Sequence, residues 1–436
     1  MMDIEGWLIP LQAKKALIVS DSDWGLEELE GLLVTMGGVA SGNNGSVSSK
    51  VVIRKVDSGS YLGKGKLTEF ANILEAKNLD LLLLDFDLSP SQLKTIEKSV
   101  KKLVLDRSGI ILEIFNRNAK TKEAKLQVEL ARLEYFMPRL TNMWTHFERQ
   151  SGSGGGALKG KGMGEKQIEV DRRLVKDRMN FLKKKLTDVE KSRKLQRTKR
   201  QQLMKVALVG YTNAGKSTLL NRLTHSEVLV EDSLFATLDA SVRMLNPKSR
   251  PLILAIDTVG FIDRLPHGLI ASFRSTLSSV LEADLLIHVI DSSHKEYKRQ
   301  FEVTMNVLKE LKADKIPMMI VFNKWDQTSE FEKSFIQELK VWATGVARSH
   351  EMMTPIFMSA HNVEQVNSLR EAILSFFDQR MHSFEIVVPY EDGKLFAKIH
   401  ECCRIEKQKP IEKGTFIKVK TMPEFAEQLN FQKYKV

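Results

Sequence analysis

Cysteine is nearly absent from this 436-residue chain: there are two, Cys402 and Cys403, side by side. Adjacent cysteines rarely reach disulfide geometry and no spaced pair exists, so a disulfide framework is excluded and a reducing compartment is expected. Two thiols are also too few for a zinc cluster, which needs more ligands. Aromatic residues make up only 7%. Long apolar runs are missing as well. Runs such as LLLL at 81–84 fall far short of the roughly 20 residues that span a bilayer. The opening MMDIEGWLIPLQAKK has acidic residues where a secretion signal carries a basic region. Together these absences predict a cytoplasmic protein without stable membrane insertion.

Apolar residues form 42% of the chain, enough for real cores, and the length suggests two to four domains. Lys+Arg number 66 against 55 Asp+Glu, a formal charge of +11. That excess sits in one place. Residues 157–205 hold 17 Lys/Arg and 6 Asp/Glu, and the remainder balances at 49 against 49. A localised surplus points to contact with a polyanion, the bland alternative being a solvated helix face.

Residues 1–118 read as an amino-terminal α/β domain. ALIVSD, VVIRKV, LLLLDF and KLVLDR are strands, and LEELEGLLVTMG, KLTEFANILEAKNL and SPSQLKTIEKSV are helices between them. The glycines of YLGKGK read as a turn. Residues 119–203 read as a two-helix linker arm. Ala124, Leu126, Val128, Leu130, Ala131 and Leu133 mark the first helix, and Pro138 its end. Ile168, Val175, Met179, Leu182, Leu186 and Val189 mark the second. SGSGGG and KGKGMGE place a glycine-rich loop at 151–164 between them, at a density expected to exclude helix. The pair is expected to form an αα-hairpin. Arg172, Arg173, Lys176, Lys184, Lys191, Lys194 and Arg197 lie on its basic face.

A second, larger α/β domain follows at 204–379. KVALVG is a strand running into GYTNAGKST, a match to the phosphate loop G-x-x-x-x-G-K-[ST]. Gly210, Tyr211, Thr212, Asn213, Ala214 and Gly215 present backbone to the phosphates, and Thr218 follows in the helix. Lys216 reaches the outer phosphates, and Ser217 offers a hydroxyl to magnesium. LILAID brings Asp257 to a strand end, where it holds the ion through a water, and Gly260 leaves an N–H for the γ-phosphate. Thr237, in LFATLDASV, is the candidate second hydroxyl ligand to magnesium. Lys216, Thr237 and Gly260 are the catalytic candidates. NKWD supplies the base reader. Asp326 accepts the N1–H and exocyclic amine of guanine, Asn323 braces the phosphate loop, and Lys324 lays its stem on the ring. An unpaired buried polar group with the wrong base is what enforces such a choice. Ser359 and Ala360 of IFMSA complete the pocket, with the Ala360 N–H expected on the guanine oxygen. The order of these motifs at successive strand ends predicts GTP and GDP as ligands rather than ATP. His267, His294 and His361 are read as ordinary loop histidines.

With these residues the chain resembles the HflX-type translational GTPases within the phosphate-loop superfamily. YLGKGK, TKEAKLQVELARLEYFMPRL, GMGEKQIEVDRR, GYTNAGKSTLLNRLT, FATLD and DTVGFIDRLPHGLIASFRSTL carry the resemblance over nearly the full chain. It implies an amino-terminal α/β domain, a helical arm and a central GTPase domain. It also implies binding to the large ribosomal subunit and its RNA, with splitting or rescue of stalled ribosomes. A GTP-switched assembly factor or RNA chaperone is the alternative, and a non-hydrolysing scaffold a third reading. The glycine loop departs from the family pattern at Met163 and Lys166. Asn213 resembles the asparagine through which some GTPases bind potassium, so K+ stands beside Mg2+ as an ion to test. A monomer is expected when the protein is free.

Residues 380–436 carry short strand signals, FEIVVPY, KLFAKIH and GTFIKVK, and read as a small carboxyl-terminal α/β module of unassigned role. One position remains open. Phe261 stands where several GTPases carry a water-orienting amide. A low intrinsic rate that depends on a partner is therefore expected, with Phe261→Ala leaving GTP binding largely intact.

Overall fold

A computed structural model describes residues 15–37, 49–52, 62–139, 161–200, 203–224, 235, 241–245, 250–263, 279–330, 333–349 and 353–435. The chain forms two compact units. The first holds residues up to Glu190 together with 232–238 and 264–274, and the second holds the rest.

In the first unit, β1 (Ala16–Ser20), β2 (Ser49–Val52), β3 (Leu81–Leu84) and β4 (Leu103–Asp106) form a parallel sheet in the order β2-β1-β3-β4. The four leucines of β3 are fully buried. That is what a strand covered on both faces requires. The helices are α1 (Asp23–Thr35), α2 (Lys64–Ala76), α3 (Pro90–Val100) and α4 (Arg107–Asn118). Local chemistry sets their starts. Ser22 caps α1, Ser89 and Gln92 make a capping box ahead of Pro90, and Asp106 caps α4. The GKGK stretch is not a turn as expected, because Lys64 opens α2 behind Gly63.

Buried charge ties this unit together. Arg107, 1% exposed, pairs with Asp85 at 2.5 Å and with Glu28. Ser20 Oγ donates to Asp85 at 2.7 Å. The sheet order reverses between β1 and β3, where open α/β sheets commonly leave a ligand crevice. Here Ser20 and Asp85, at those two strand ends, are engaged with each other and with Arg107. Asp106 does a second job. It accepts from Gly109 N (2.8 Å), Tyr135 Oη (2.5 Å) and Arg139 Nη2 (3.2 Å). Tyr135 belongs to α5 (Lys122–Phe136) and Arg139 to the 3-10 turn after it, so the arm's first helix is fastened to β4.

The second arm helix, α6, runs Lys161–Arg200. It therefore includes Gly162 and Gly164, within the stretch expected to exclude helix. Each glycine costs only about 1 kcal/mol against alanine, which a long helix absorbs. Residues 151–160 lie outside the described residues. Leu130 and Leu133 cluster with Val175, Met179 and Leu182, flanked by Leu126, Met137 and Leu186. Glu129 grips Arg178 at 2.7 and 3.0 Å, and Glu134 meets Lys183 at 3.0 Å. The two ion pairs advance in the same direction along the two helices. The helices are thus parallel neighbours rather than the antiparallel hairpin expected. Their apolar spacing is the same on both and suits either direction, so the sequence held no signal to choose.

The second unit is built on a six-stranded sheet, β10-β9-β8-β5-β7-β6. Its strands are β5 (Met204–Gly210), β6 (Ser241–Met244), β7 (Ile253–Asp257), β8 (Leu285–Asp291), β9 (Met318–Asn323) and β10 (Ile356–Phe357). Only β6 runs antiparallel to its neighbour. Helices α7 (Lys216–Leu223), α8 (Tyr297–Glu310), α9 (Lys333–Ser349) and α10 (Val363–Arg380) accompany it. The carboxyl-terminal module adds an antiparallel sheet, β11-β13-β12, from β11 (His382–Val388), β12 (Arg404–Ile411) and β13 (Gly414–Thr421). Its helices are α11 (Gly393–Cys402) and α12 (Pro423–Gln428). KLFAKIH, expected as a strand, lies in α11. Asp392 caps that helix, and Leu395, Ile399 and Cys402 recur on one helical face. Phe425 enters the core formed by β5 and β8, so the module is packed onto the larger sheet. Among the described residues, no helix is long and apolar enough to cross a membrane.

Removing one partner of a buried ion pair strands the other, at a cost of about 3–5 kcal/mol. Arg107→Met should accordingly loosen β1 and β3, read as faster amide exchange of those strands in the full chain. Exchange unchanged within about 1 kcal/mol would refute the role given to Arg107.

Candidate functional site

Strand β5 lies between β7 and β8, and its carboxyl end opens directly into the phosphate loop. Two glycines there answer to sterics. Gly215 sits at φ +88, and a Cβ on it would lie 2.2 Å from Asn323 Nδ2. A Cβ on Gly260 would come within 2.9 Å of Thr212 and 3.1 Å of Lys216 Nζ. Asn213 also adopts a left-handed backbone, φ +58, and is exposed at the loop's turn. Thr218 continues the first turn of α7.

Lys216 opens α7 and is 6% exposed. Its Nζ donates to the carbonyls of Gly210 (3.0 Å) and Tyr211 (2.6 Å). Burial pulls its pKa down to about 8, with Asp257 opposing. Ser217 Oγ donates to Asp257 Oδ2 at 2.6 Å. A hydroxyl from the first turn of α7 and a buried carboxylate from the end of β7 therefore meet beside the loop, a hard oxygen pair that suits magnesium. Thr237 lies outside the described residues.

Phe261 has an unexpected position. Its ring is 2% exposed. Its backbone continues the β5–β7 pairing: Phe261 N donates to Gly210 O at 3.1 Å, and Thr212 N donates to Phe261 O at 2.8 Å. Asp263 N then donates to Tyr211 Oη at 2.8 Å. Phe261 thus anchors the segment after Gly260 to the phosphate loop. Its side chain is core, and a Phe→Ala cavity costs about 3–5 kcal/mol.

The elements expected to read the base converge on Asn323, 2% exposed at the end of β9. Its Nδ2 donates to Ala214 O at 2.9 Å, and its Oδ1 accepts from Ala360 N at 2.9 Å. The Ala360 N–H expected on guanine is thus given to Asn323. Ser359, buried, donates its N–H to Gln365 Oε1 at 2.8 Å. Asp326 is exposed in the first turn of a 3-10 helix, next to Trp325, whose ring lies 4.8 Å from Phe357. Lys324, at φ +60, pairs with Asp291 at 2.8 Å.

Asp291 and Ser292 were not singled out in the sequence. Ser292 donates both N–H (2.9 Å) and Oγ–H (2.7 Å) to the Asn323 carbonyl. Asp291 Oδ1 accepts from Ser293 N at 2.9 Å and Oγ at 2.6 Å. The signal was the polar DSS cluster ending the apolar strand LLIHVI, one strand before NKWD. His288, in that strand, stacks 5.1 Å from Phe301, and burial drives its pKa down to about 3. It is a neutral core residue. His294 accepts from Glu296 N at 3.0 Å, and His361 is exposed. His267 lies outside the described residues.

On the arm, Arg172, Arg173, Lys176, Lys184 and Lys191 are all exposed. Lys194 and Arg197 continue α6, but their side chains lie outside the described residues.

Three family models match along the chain. They are a GTP-binding GTPase amino-terminal region at 24–116, a GTP-binding GTPase middle region at 118–200, and a 50S ribosome-binding GTPase at 205–324. The chain is 43% identical over 348 residues to GTPase HflX of Gluconacetobacter diazotrophicus, covering 80% of this chain and 73% of the relative. It is 38% identical over 386 residues to that of Alkalihalophilus pseudofirmus, covering 88% and 87%. With the Escherichia coli protein of the same name it shares 36% over 357 residues, covering 81% and 80%.

Two outcomes follow from this geometry. Phosphate beside Lys216 raises its pKa, so nucleotide binding takes up a proton above the free value of about 8. GTP affinity should be flat below that pH and fall up to about tenfold per unit above it, as titrations with a fluorescent GTP analogue will show. If Asp291 acts by holding Lys324, Asp291→Ala and Lys324→Ala should each raise the KM for GTP about tenfold, and the double variant no further. Additive effects would dissociate the two residues.

Proposed function

Because the chain belongs to the HflX-type family of phosphate-loop GTPases, and so is a GTP hydrolase, we propose that it acts on the large ribosomal subunit. There it couples GTP binding and hydrolysis to the splitting or rescue of stalled ribosomes. The observation that carries this reading is the exposed row Arg172, Arg173, Lys176, Lys184 and Lys191 on α6. It displays the charge surplus of an otherwise neutral chain, on a helix fixed to the amino-terminal sheet through α5. A rigid cationic rod suits an RNA backbone. The match at 205–324 to a 50S ribosome-binding GTPase model supports the same partner.

In this reading the phosphate loop and Lys216 hold the nucleotide, and Gly260 N–H senses the γ-phosphate. Ser217, Asp257 and Thr237 are the residues we assign to magnesium. That ion would supply positive charge to offset the charge of the phosphates. Asp326 selects guanine, and Asn323 keeps the base and phosphate pockets in register. A water attacks the γ-phosphorus and the bond to GDP breaks, releasing phosphate. No side-chain amide follows Gly260, since Phe261 is buried. Water alignment and the stabilisation of developing charge then fall to backbone groups, an ion or the partner, which makes the intrinsic rate low. Asn213 is where a potassium contribution would enter.

The test compares GTP turnover with and without purified large subunits, for the normal protein and for one lacking 151–164. Stimulation of about tenfold or more is expected. The deletion should abolish it while GTP binding persists. Absence of stimulation at low salt sinks the proposal. Equal stimulation by protein-free RNA would favour the assembly-factor or chaperone reading.

A further inference from the structure

The carboxyl-terminal sheet has one covered face and one bare face. Ile386, Val388, Ile417 and Val419 are buried with Leu395, Ile399 and Ala426 of α11 and α12. On the opposite face the register sets Arg404 beside Lys420, Lys407 beside Lys418, and Lys409 beside Phe416. Five cations thus occupy three consecutive rungs of two strands. At the far end stand Tyr390, 64% exposed, and Ile411, 40% exposed, joined by a 2.9 Å bond from Tyr390 Oη to Ile411 O.

A β-bulge creates this face. The register of β12 slips between Ile405 and Lys407, leaving Glu406 as the extra residue. In an unbroken strand, side chains alternate, so Glu406 and Gln408 would share the face of Arg404 and the two lysines would point inward. The bulge reverses that assignment. It brings Lys407 and Lys409 onto the outer face, while Glu406 still reaches that face and accepts from Ser383 Oγ at 3.1 Å beside Lys420.

Acidic neighbours offset part of the charge. Asp378 pairs with Arg404 (3.1 Å) and Lys420 (2.7 Å), and Glu385 pairs with Lys418 (3.1 Å). Among the described residues no ion pair engages Lys407 or Lys409. Lysine and proline on an edge strand also discourage unwanted strand pairing, and Lys407, Lys409 and Pro410 fit that use. It does not explain Lys418 and Lys420. They lie on β13, which is hydrogen-bonded on both sides and has no edge to guard.

We propose that the outer face of β11-β13-β12 is a second RNA-contact surface, separate from the arm. The lysine rungs follow the phosphate backbone, and the Phe416–Tyr390 end receives an unstacked base. Rungs lie about 5 Å apart across strands and about 7 Å along them, a spacing that phosphates can follow. Cations next to an aromatic platform suit RNA better than an acidic protein, which needs no stacking surface. That the RNA is ribosomal rests on the large-subunit reading above.

The test uses full-length protein with two probes, protein-free large-subunit RNA and intact large subunits. Lys407→Ala with Lys409→Ala should weaken RNA binding about tenfold at moderate salt. It should also flatten the plot of log affinity against log salt by about 1.5 to 2. Basal GTP turnover should not change. Phe416→Ala should weaken binding with the salt slope intact, as expected for stacking. An unchanged affinity and slope in the lysine variant overturns the proposal. So does a loss confined to intact subunits, which would name a ribosomal protein as the contact. A parallel variant with Arg172, Arg173 and Lys176 changed to alanine separates the two ideas. If it loses RNA while the sheet variants do not, the arm reading stands and this one falls. Wild-type protein that binds neither probe fails both.

Discussion

The nucleotide site depends on one side chain. Asn323 donates to the Ala214 carbonyl and accepts from the Ala360 N–H, and its own carbonyl takes two bonds from Ser292. Four chain segments meet at this buried amide: the phosphate loop, the end of β8, NKWD and the loop after β10. Only a planar group with a donor and an acceptor at opposite corners can make both side-chain bonds. A carboxylate would lack the donor, and a longer amide would displace the loop from Gly215, where a Cβ has no room. NKWD, the loop after β10 and the phosphate loop are therefore held in register by a single joint.

Much of this was legible because the motifs are dictated by backbone geometry. GYTNAGKST needs a glycine at a left-handed position and a lysine opening a helix, and both appear where the letters place them. The four strands of the amino-terminal domain and the helices between them followed from apolar runs separated by helical patterns. The less legible features depend on partners distant in sequence. Asp291 looked like loop polarity until Lys324 was seen beside it. The common direction of α5 and α6 rests on Glu129 meeting Arg178 and Glu134 meeting Lys183, contacts that no local pattern announces. Strand β12 was hidden by its composition, since an exposed edge strand has no apolar alternation. KLFAKIH was misread because a seven-residue window favoured strand residues over the cap at Asp392.

The first unit achieves rigidity by different means. Its sheet ends carry charge rather than a ligand, and Asp106 spends its capacity on a helix cap, a tyrosine and an arginine from the arm. The arm's α5 therefore cannot pivot freely on the sheet without leaving a buried carboxylate unpartnered. Phe235, from the stretch following the phosphate-loop helix in sequence, belongs to this unit too. Its carbonyl accepts from Asn118 at 3.0 Å, and its ring lies 4.6 Å from Phe115. The chain thus crosses between its two units more than once, so the arm is one of several covalent connections between them.

The bridge between Tyr211 and Phe261 separates two kinds of information at one position. The bonds to Gly210 and Thr212 use only the Phe261 main chain, and the ring fills space. Any apolar side chain of similar volume preserves the splice, whereas a proline, lacking the N–H, would cut it. Residue identity there reports on packing, while the hydrogen-bonded backbone carries the link between the segment after Gly260 and the phosphate loop.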